Sequence, residues 1–384
     1  MSKPVIGRSA RKRMDSLDNP LAGARAEILV PSVGIREDMP FFTKRLGFRL
    51  DQIFPADDPT VAVLSGHGVR VRLDSGLGSD VPVPSLRLLV EDPSLVADGE
   101  SELVAPNGMR VEIDRRDPEM VTPPTQHNYI VRRLADQAPW VIGRAGMHYR
   151  DLIPDRLGGS IIASHIRIPD GGPVPDMVHY HTVGFQLIFC LAGWVDLVYE
   201  DQGPEFRLHA GDCVIQPPEI RHRVLFASDN IEVLEIGVPA EHVTTIDHEM
   251  ELPNGPANPD RRFQGQRFVH HRESEAEWGA WRIPGFVARD TGIAAGTNGV
   301  ASVEVAKWRG GEAVTAVHDC DILFHLVKQG TMTLSVEGEP DYELTAGDAF
   351  VIPPGRPAKF HGCSDDLELI EVALPSAFTT TIAG

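Results

Sequence analysis

The sequence predicts a mainly β protein, built as two related β-rich halves behind a smaller α+β module. Three observations lead there. Over most of the chain, short runs rich in Val, Ile, Leu and Phe are separated by Gly and Pro turns, the punctuation expected of strands. The second half repeats the first: SDNIEVLEIGVPAEHVTTI from Ser228 returns as SDDLELIEVALPSAFTTTI from Ser364, and LAGWVDLVYEDQGPEFRLHAGD returns as VKQGTMTLSVEGEPDYELTAGD. The first hundred residues share neither phrase and contain a helix-spaced segment.

Taken in order, AEILVPSV is a strand and EDMPFFTKRLG a helix with Phe41, Phe42 and Leu46 on one face. Then FRLDQIF, TVAVLSG and VRVRLDS are three further strands. SLRLLVED and NGMRVEID look like a shortened second copy without its helix. This βαβββ order, with the phrase FFTKRLGFRL, resembles a glyoxalase-type (vicinal oxygen chelate) module. The resemblance places metal-binding positions on first and last strands, where Glu27 and Glu112 fall, but Ser85 occupies a third such position. A degenerate scaffold or substrate-side lid is therefore the expected role. The expected divisions are a disordered tail over 1–22, this module over 23–116, the first β half with its N-terminal arm over 117–246, and a linker with the second half over 247–384.

Bulk properties fit a soluble enzyme. A length of 384 residues suits two or three domains, and a net charge of −19 disfavours nucleic acid or anionic membrane as partners. No apolar run approaches a membrane span. The basic N-terminus is followed by no hydrophobic stretch, so it does not read as a secretory signal. Four scattered cysteines without a C-x-x-C suggest a reduced, cytoplasmic setting.

The chemistry concentrates in MVHYHTVGFQLIFCLAG and GDCVIQPPEIRH. His179 and His181, two apart, point to one face of a strand. Gln186 lies an odd number of residues further on, so a bend through Thr182, Val183 and Gly184 must bring it round. His222 follows a Pro-Pro turn on a distant strand. Converging imidazoles indicate a transition metal. The order His-x-His, four residues, Gln186, six residues, Gly193 resembles the first cupin motif; Gly211, five residues, Pro217, then His222 resembles the second. The resemblance implies two double-stranded β-helix (jelly-roll) barrels and the metal ligands His179, His181, Gln186 and His222. Two departures stand out: Gln186 replaces the usual glutamate, and Glu219 stands where a glycine is usual. A neutral glutamine leaves the ion's charge uncompensated and favours an anionic chelating ligand.

The repeat supplies an internal control. Ala316 matches His179, His318 matches His181, Leu323 matches Gln186 and Ala358 matches His222, so the second barrel should hold no metal. Arg150-Asp151 recurs as Arg289-Asp290, which suggests a structural ion pair or turn. His165 and Arg167 align with Val303 and Val305, and Gln216 with Ile352, so these positions are polar only in the metal half. That contrast predicts an inward face on which Arg167 and Gln216 contact substrate, Arg167 through a carboxylate, and His165 serves as an acid/base group. Cys190 and Cys213 read as core filler, Arg221 and Arg223 as outward-facing, His270-His271 as a solvated linker, and Trp194 as packing or substrate contact.

A bicupin with metal in its first barrel alone is similar to the gentisate/salicylate ring-cleaving dioxygenases. That resemblance implies a non-haem Fe(II)-dependent dioxygenase using O2 on a small anionic, chelating molecule, aromatic or enolisable. Mn, Ni or Zn are the alternative metals. Two other classes stay open: an O2-independent isomerase, lyase or decarboxylase, and a non-catalytic small-molecule-binding bicupin. Exposed edges in the shortened glyoxalase-like half would favour a homodimer.

Overall fold

The computed structural model describes residues 24–55, 57–78, 80–136, 140–143 and 146–383; the tail expected over 1–22 lies outside them. Strand accounts for 44% and helix for 9%, so the mainly β expectation holds. The chain divides into units over 1–119 and 120–384. Among the described residues, no helix is long and apolar enough to cross a membrane.

In the first unit, strands Ile28–Pro31, Arg49–Phe54, Val61–Gly66 and Val69–Asp74 form one sheet in the order first, fourth, third, second. The helix Ile35–Pro40 widens into a π-helical turn over Phe41–Arg45. Phe42 and Leu46 are buried with Leu64, Val71 and Leu73, while Phe41 is only partly covered. A second sheet pairs Leu86–Val90, Arg110–Arg115 and Glu102–Val104. Two short 3-10 turns, Pro93–Leu95 and Ala97–Gly99, stand where a helix is missing. Glu27 accepts a 2.7 Å hydrogen bond from Arg70, and Glu112 and Ser85 are exposed. Nothing among the described residues gathers these three into a site.

The second unit holds two barrels. In the first, a seven-stranded sheet contains Ile162–Ile168, Phe185–Ala192 and Ile231–Val238, and faces a sheet containing His179–His181, Trp194–Tyr199 and His222–Ala227. The second repeats this with Ser302–Trp308, Ile322–Gln329 and Glu368–Leu374 facing Thr315–His318, Thr331–Val336 and Ala358–His361. Each barrel lends a strand to the other. Ile130–Arg132, on the arm before the first barrel, pairs with Ala349–Val351 of the second. Val269–His271, before the second barrel, pairs with Cys213–Ile215 of the first. Between the barrels lies one shared core, where Ala163, Leu187, Phe189 and Leu234 meet Val303, Val305, Phe324 and Ile370.

The recurring arginines reinforce this junction. Arg150 donates to the Gly347 carbonyl of the second barrel at 2.7 Å, and Arg289 donates to the Gly211 carbonyl of the first at 2.8 Å. Their role is structural, as expected; besides these carbonyls Arg150 donates to His165 Nδ1 at 2.7 Å and Arg289 pairs with Glu273 at 3.2 Å, rather than either pairing with its neighbouring aspartate. Both arginines are buried, so each bond forms where water cannot compete.

His270 and His271 are not solvated linker residues: they sit on the exchanged strand. The His270 ring stacks on Phe206 at 4.4 Å. Burial pushes its pKa down to about 4, and does the same to His318 in the second barrel. An unfolded histidine titrates near its ordinary value of about 6.5. Between these values the unfolded chain binds more protons, so stability is fully present above that window and is lost as pH falls through it. Thermal unfolding midpoints should therefore drop between about pH 6.5 and about pH 4, with a shallower slope in His270→Phe. An equal slope in the variant would show that His270 contributes nothing.

Candidate metal centre

His179 and His222 are direct cross-strand partners, and His181 follows on the same face. Strand alternation therefore suffices to bring three imidazoles into the barrel from two neighbouring strands. All three are buried, with ring centroids 4.3, 5.1 and 5.2 Å apart. One nitrogen from each lies within 4.8 Å of the others. Each Nδ1 has an acceptor: the Met177 carbonyl for His179 (2.8 Å), the Thr244 hydroxyl for His181 (2.9 Å) and the Ile220 carbonyl for His222 (2.9 Å). An Nδ1 that donates leaves the Nε2 lone pair as the available ligand, so the two carbonyls fix the tautomers of His179 and His222, and the Thr244 hydroxyl, which can donate or accept, is compatible with the same tautomer in His181.

Asp176 adds a charge behind this layer. Its Oδ1 lies 3.6 Å from His179 Nδ1, and its Oδ2 accepts from the Val224 amide at 3.0 Å. Removing that charge should weaken the ligand field without altering the ligand set. Asp176→Asn is expected to lower metal affinity roughly 10- to 100-fold, measured by chelator competition. Unchanged affinity would reduce Asp176 to packing.

Gln186 is buried, and its Nε2 donates to Glu235 at 2.7 Å. Its Oε1 is buried without a protein partner, a costly arrangement for an amide oxygen unless something else satisfies it. The three converging imidazoles fit a metal ion. The Glu219 departure is also clarified. Glu219 adopts φ +63°, the left-handed region, and the second barrel keeps a glycine, Gly355, at the matching turn with φ +77°.

The centre opens into a cavity of about 80 Å³. Its wall is mostly aliphatic, including Ile166, Ile168, Ile188, Leu197 and Val233, with Tyr199, Gln216 and Glu235 as polar additions. Gln216 thus lines the cavity as expected, and it donates to the Tyr199 hydroxyl at 2.9 Å. Burial raises the Tyr199 hydroxyl above its ordinary pKa, which keeps it protonated.

His165 and Arg167 do not line this cavity, and the expectation that they face inward is corrected. Ile166 and Ile168 on the same strand point into the cavity, so the alternate residues point away from it. His165 Nδ1 accepts from Arg150 at 2.7 Å and its Nε2 pairs with Glu232 at 2.8 Å. Arg167 donates to Asn230 at 2.6 Å.

Two things produced the error: the apolar face of Val303 and Val305 packs into the core shared by the barrels, not into a lumen, and the repeat register was two residues out. His165 lies opposite Arg150 and Leu234; in the second barrel Val305 lies opposite Arg289 and Ile370. His165 therefore matches Val305 rather than Val303, and Arg167 matches Lys307. Lys307 bonds Glu368 much as Arg167 approaches Glu232. A cation kept in both barrels is a structural feature of the strand, not a mark of the metal half.

The other singled-out residues fall into place. Cys190 and Cys213 are buried thiols whose pKa values burial pushes up to about 12, so they are inert filler. Trp194 stacks on Phe226 beneath Arg207. Arg221 pairs with Asp247, and Arg223 is exposed.

Asp176 and Tyr199 were missed, and so were two further residues. Glu235 lines the cavity, but it recurs as Glu371, so comparison of the halves hid it. His242 donates from Nδ1 to the Pro239 carbonyl and packs edge-on against His181 at 5.4 Å. It occupies space over Gly237, where a Cβ would meet its ring at 3.0 Å. The only sequence signal for that fit is Gly237 itself, whose counterpart is Ala373.

In the second barrel the positions matching His179 and His222 are Ala316 and Ala358, paired across the same strands. His318 uses both nitrogens on the protein, donating to the Ile352 carbonyl and accepting from the Cys320 amide. Its lumen is filled by His325, stacked on Phe350 at 4.6 Å, and by Phe360, leaving about 20 Å³.

Comparison with known proteins agrees with this geometry. Among curated proteins, none matches the sequence significantly. The chain resembles salicylate 1,2-dioxygenase from Pseudaminobacter salicylatoxidans, with a TM-score of 0.50 and 16% identity, over 68% of this chain and 90% of that one. Oxalate decarboxylase from Bacillus subtilis gives a TM-score of 0.49 and 12% identity, over 69% of this chain and 80% of that one. At 16% identity the likeness to the dioxygenase is one of fold, that of a bicupin. Residues 164–237 match the cupin domain family, which lies wholly within the second unit and lends no support to a glyoxalase-type reading of residues 23–116; the first barrel carries a cupin domain with a three-histidine metal-binding cluster.

Proposed function

We propose that the first barrel is the active site of a non-haem Fe(II)-dependent dioxygenase acting on a small molecule that chelates the metal through anionic oxygen atoms. The observation that carries this reading is the cluster of three buried imidazoles, each backed at Nδ1 by a protein oxygen, opening into a mostly apolar chamber. His179, His181 and His222 would hold the iron, with Gln186 Oε1 as a weaker fourth donor. When bound, ferrous iron supplies electron transfer between a chelated substrate and O2.

The protein's own groups do the rest. Among the described residues the ligand cluster is three histidines without a carboxylate, so an anionic chelator would be favoured by a bound cation. The aliphatic wall orients the substrate body and excludes water, which strengthens every electrostatic interaction inside. Tyr199 and Gln216, joined by a hydrogen bond, present donors at the cavity surface. Anaerobic purification with metal analysis, followed by O2 uptake on phenols and 1,3-diketones, tests the reading. Iron near one per chain with substrate-dependent O2 uptake is expected. Stoichiometric zinc with no uptake would overturn it.

A further inference from the structure

One polar pair in the cavity wall accompanies the metal histidines, and its role rests on the function proposed above. Tyr199 lies opposite His222 on the neighbouring strand, and its ring stacks on that imidazole with centroids 5.5 Å apart and planes 25° from parallel. Gln216 donates from Nε2 to the Tyr199 hydroxyl at 2.9 Å. Both side chains line the same cavity as His179, His181 and His222.

Strand pairing shows what stands at these places in the second barrel. Val336 lies opposite Ala358, as Tyr199 lies opposite His222. Ile352 follows Val351, the partner of Phe324, as Gln216 follows Ile215, the partner of Leu187. Both members of the pair are therefore apolar in the half where alanines stand for His179 and His222. Val336 and Ile352 are buried in a complete barrel, so the fold itself does not require a phenol and an amide here. Exchanging a buried hydrogen-bonded pair for two apolar side chains is close to neutral for stability, which leaves stability a poor reason for the pair.

The direction of the bond gives it a use. A phenol oxygen that accepts from an amide keeps its own hydrogen for another acceptor. With an ordinary pKa of about 10, a phenol is a neutral donor at neutral pH. Turned about, the amide would present its own N–H group instead, so the pair offers a donor in either orientation.

We infer that Tyr199, oriented by Gln216, donates a hydrogen bond to an oxygen atom of the substrate beside the metal. The bond makes the site prefer oxygen ligands, phenolates and enolates, over ligands that bind metal through nitrogen and carry no acceptor. The hydrogen stays on Tyr199, and no proton is transferred.

Anaerobic titrations of the full metal-loaded chain with three probes test this. 4-Nitrocatechol and 2,4-pentanedione bind through oxygen; imidazole binds through nitrogen and leaves no acceptor. Tyr199→Phe keeps the ring on His222 and removes only the hydroxyl. It should weaken both oxygen probes roughly tenfold and leave imidazole within about twofold, at unchanged metal content. Bound 4-nitrocatechol should also need a pH about one unit higher to show the absorption of its ionised form, because losing a donor destabilises the anion. Tyr199→Phe/Gln216→Leu, apolar at both places like the second barrel, should behave as Tyr199→Phe does.

An unchanged preference for oxygen probes in both variants, equal weakening of all three probes, or no binding of either oxygen probe by a chain that holds its metal would overturn the inference. A loss confined to the double variant would remove Tyr199 as the donor. Metal content and O2 uptake on the same sample test the dioxygenase reading separately. A chain that holds zinc and consumes no O2, yet loses only the oxygen probes in Tyr199→Phe, would overturn that reading alone.

Discussion

Replacing His222 with alanine is expected to reduce bound metal from about one ion per chain to less than about a tenth of that, with the fold retained. His222 is the cross-strand partner of His179, and its ring lies nearest to that of His179. Its removal leaves two imidazoles and an amide oxygen, too few to hold a divalent ion through washing against water and buffer. The strand should persist, because its pairing with Trp194–Tyr199 is made by the backbone. His318→Ala in the second barrel provides the matched control. His318 is already saturated by protein partners, so metal content should not change. Elemental analysis of both variants beside the parent chain settles the outcome. A full ion retained by His222→Ala would place the metal elsewhere, and two ions in the parent would contradict a single centre.

The metal histidines were legible because their geometry is local. Two residues on one strand and one on its neighbour need only period-two alternation to converge, and the duplicated half showed directly where ligands had been lost. The same duplication misled where register mattered. The phrase Ala163-Ser164 looks like Ala301-Ser302, yet the connection from Arg289 to Val305 is one residue longer than that from Arg150 to His165. A small slip reassigns a strand's partners, and no alternation pattern reveals it when both faces are buried, one in the cavity and one in the junction between barrels. The exchanged strands were hidden for another reason. Val269–His271 carries two histidines in a charged stretch, and its burial comes from a partner far away in sequence. Glu235 was hidden because it is common to both halves: in the first it accepts from Gln186 at the cavity wall, and its counterpart Glu371 pairs with Arg282 and His325.

That counterpart gives the second large effect. Glu371→Ala is expected to destabilise the chain by about 3–5 kcal/mol and to leave metal binding in the first barrel intact. Glu371 is almost fully buried and accepts from both terminal nitrogens of Arg282 and from His325 Nε2 at 2.9 Å. These ion pairs hold its carboxyl below the ordinary carboxylate range despite burial, which by itself acts in the opposite direction. Removing the glutamate leaves a mostly enclosed guanidinium with only the longer 3.6 Å approach of Glu304 as counter-charge, and leaves the buried His325 with neither nitrogen satisfied, since its Nδ1 already lacks a partner. Breaking such a pair costs more than the pair contributes, because the remaining charge stays buried. Since the barrels share one core and exchange strands, the loss should appear as a lower midpoint of a single cooperative transition rather than as separate melting of the second barrel. Denaturant unfolding followed by both fluorescence and circular dichroism measures this. Coincident, shifted transitions are expected. Two resolved transitions, with the first barrel unaffected, would mean that the empty barrel is not a structural half of the metal-binding one.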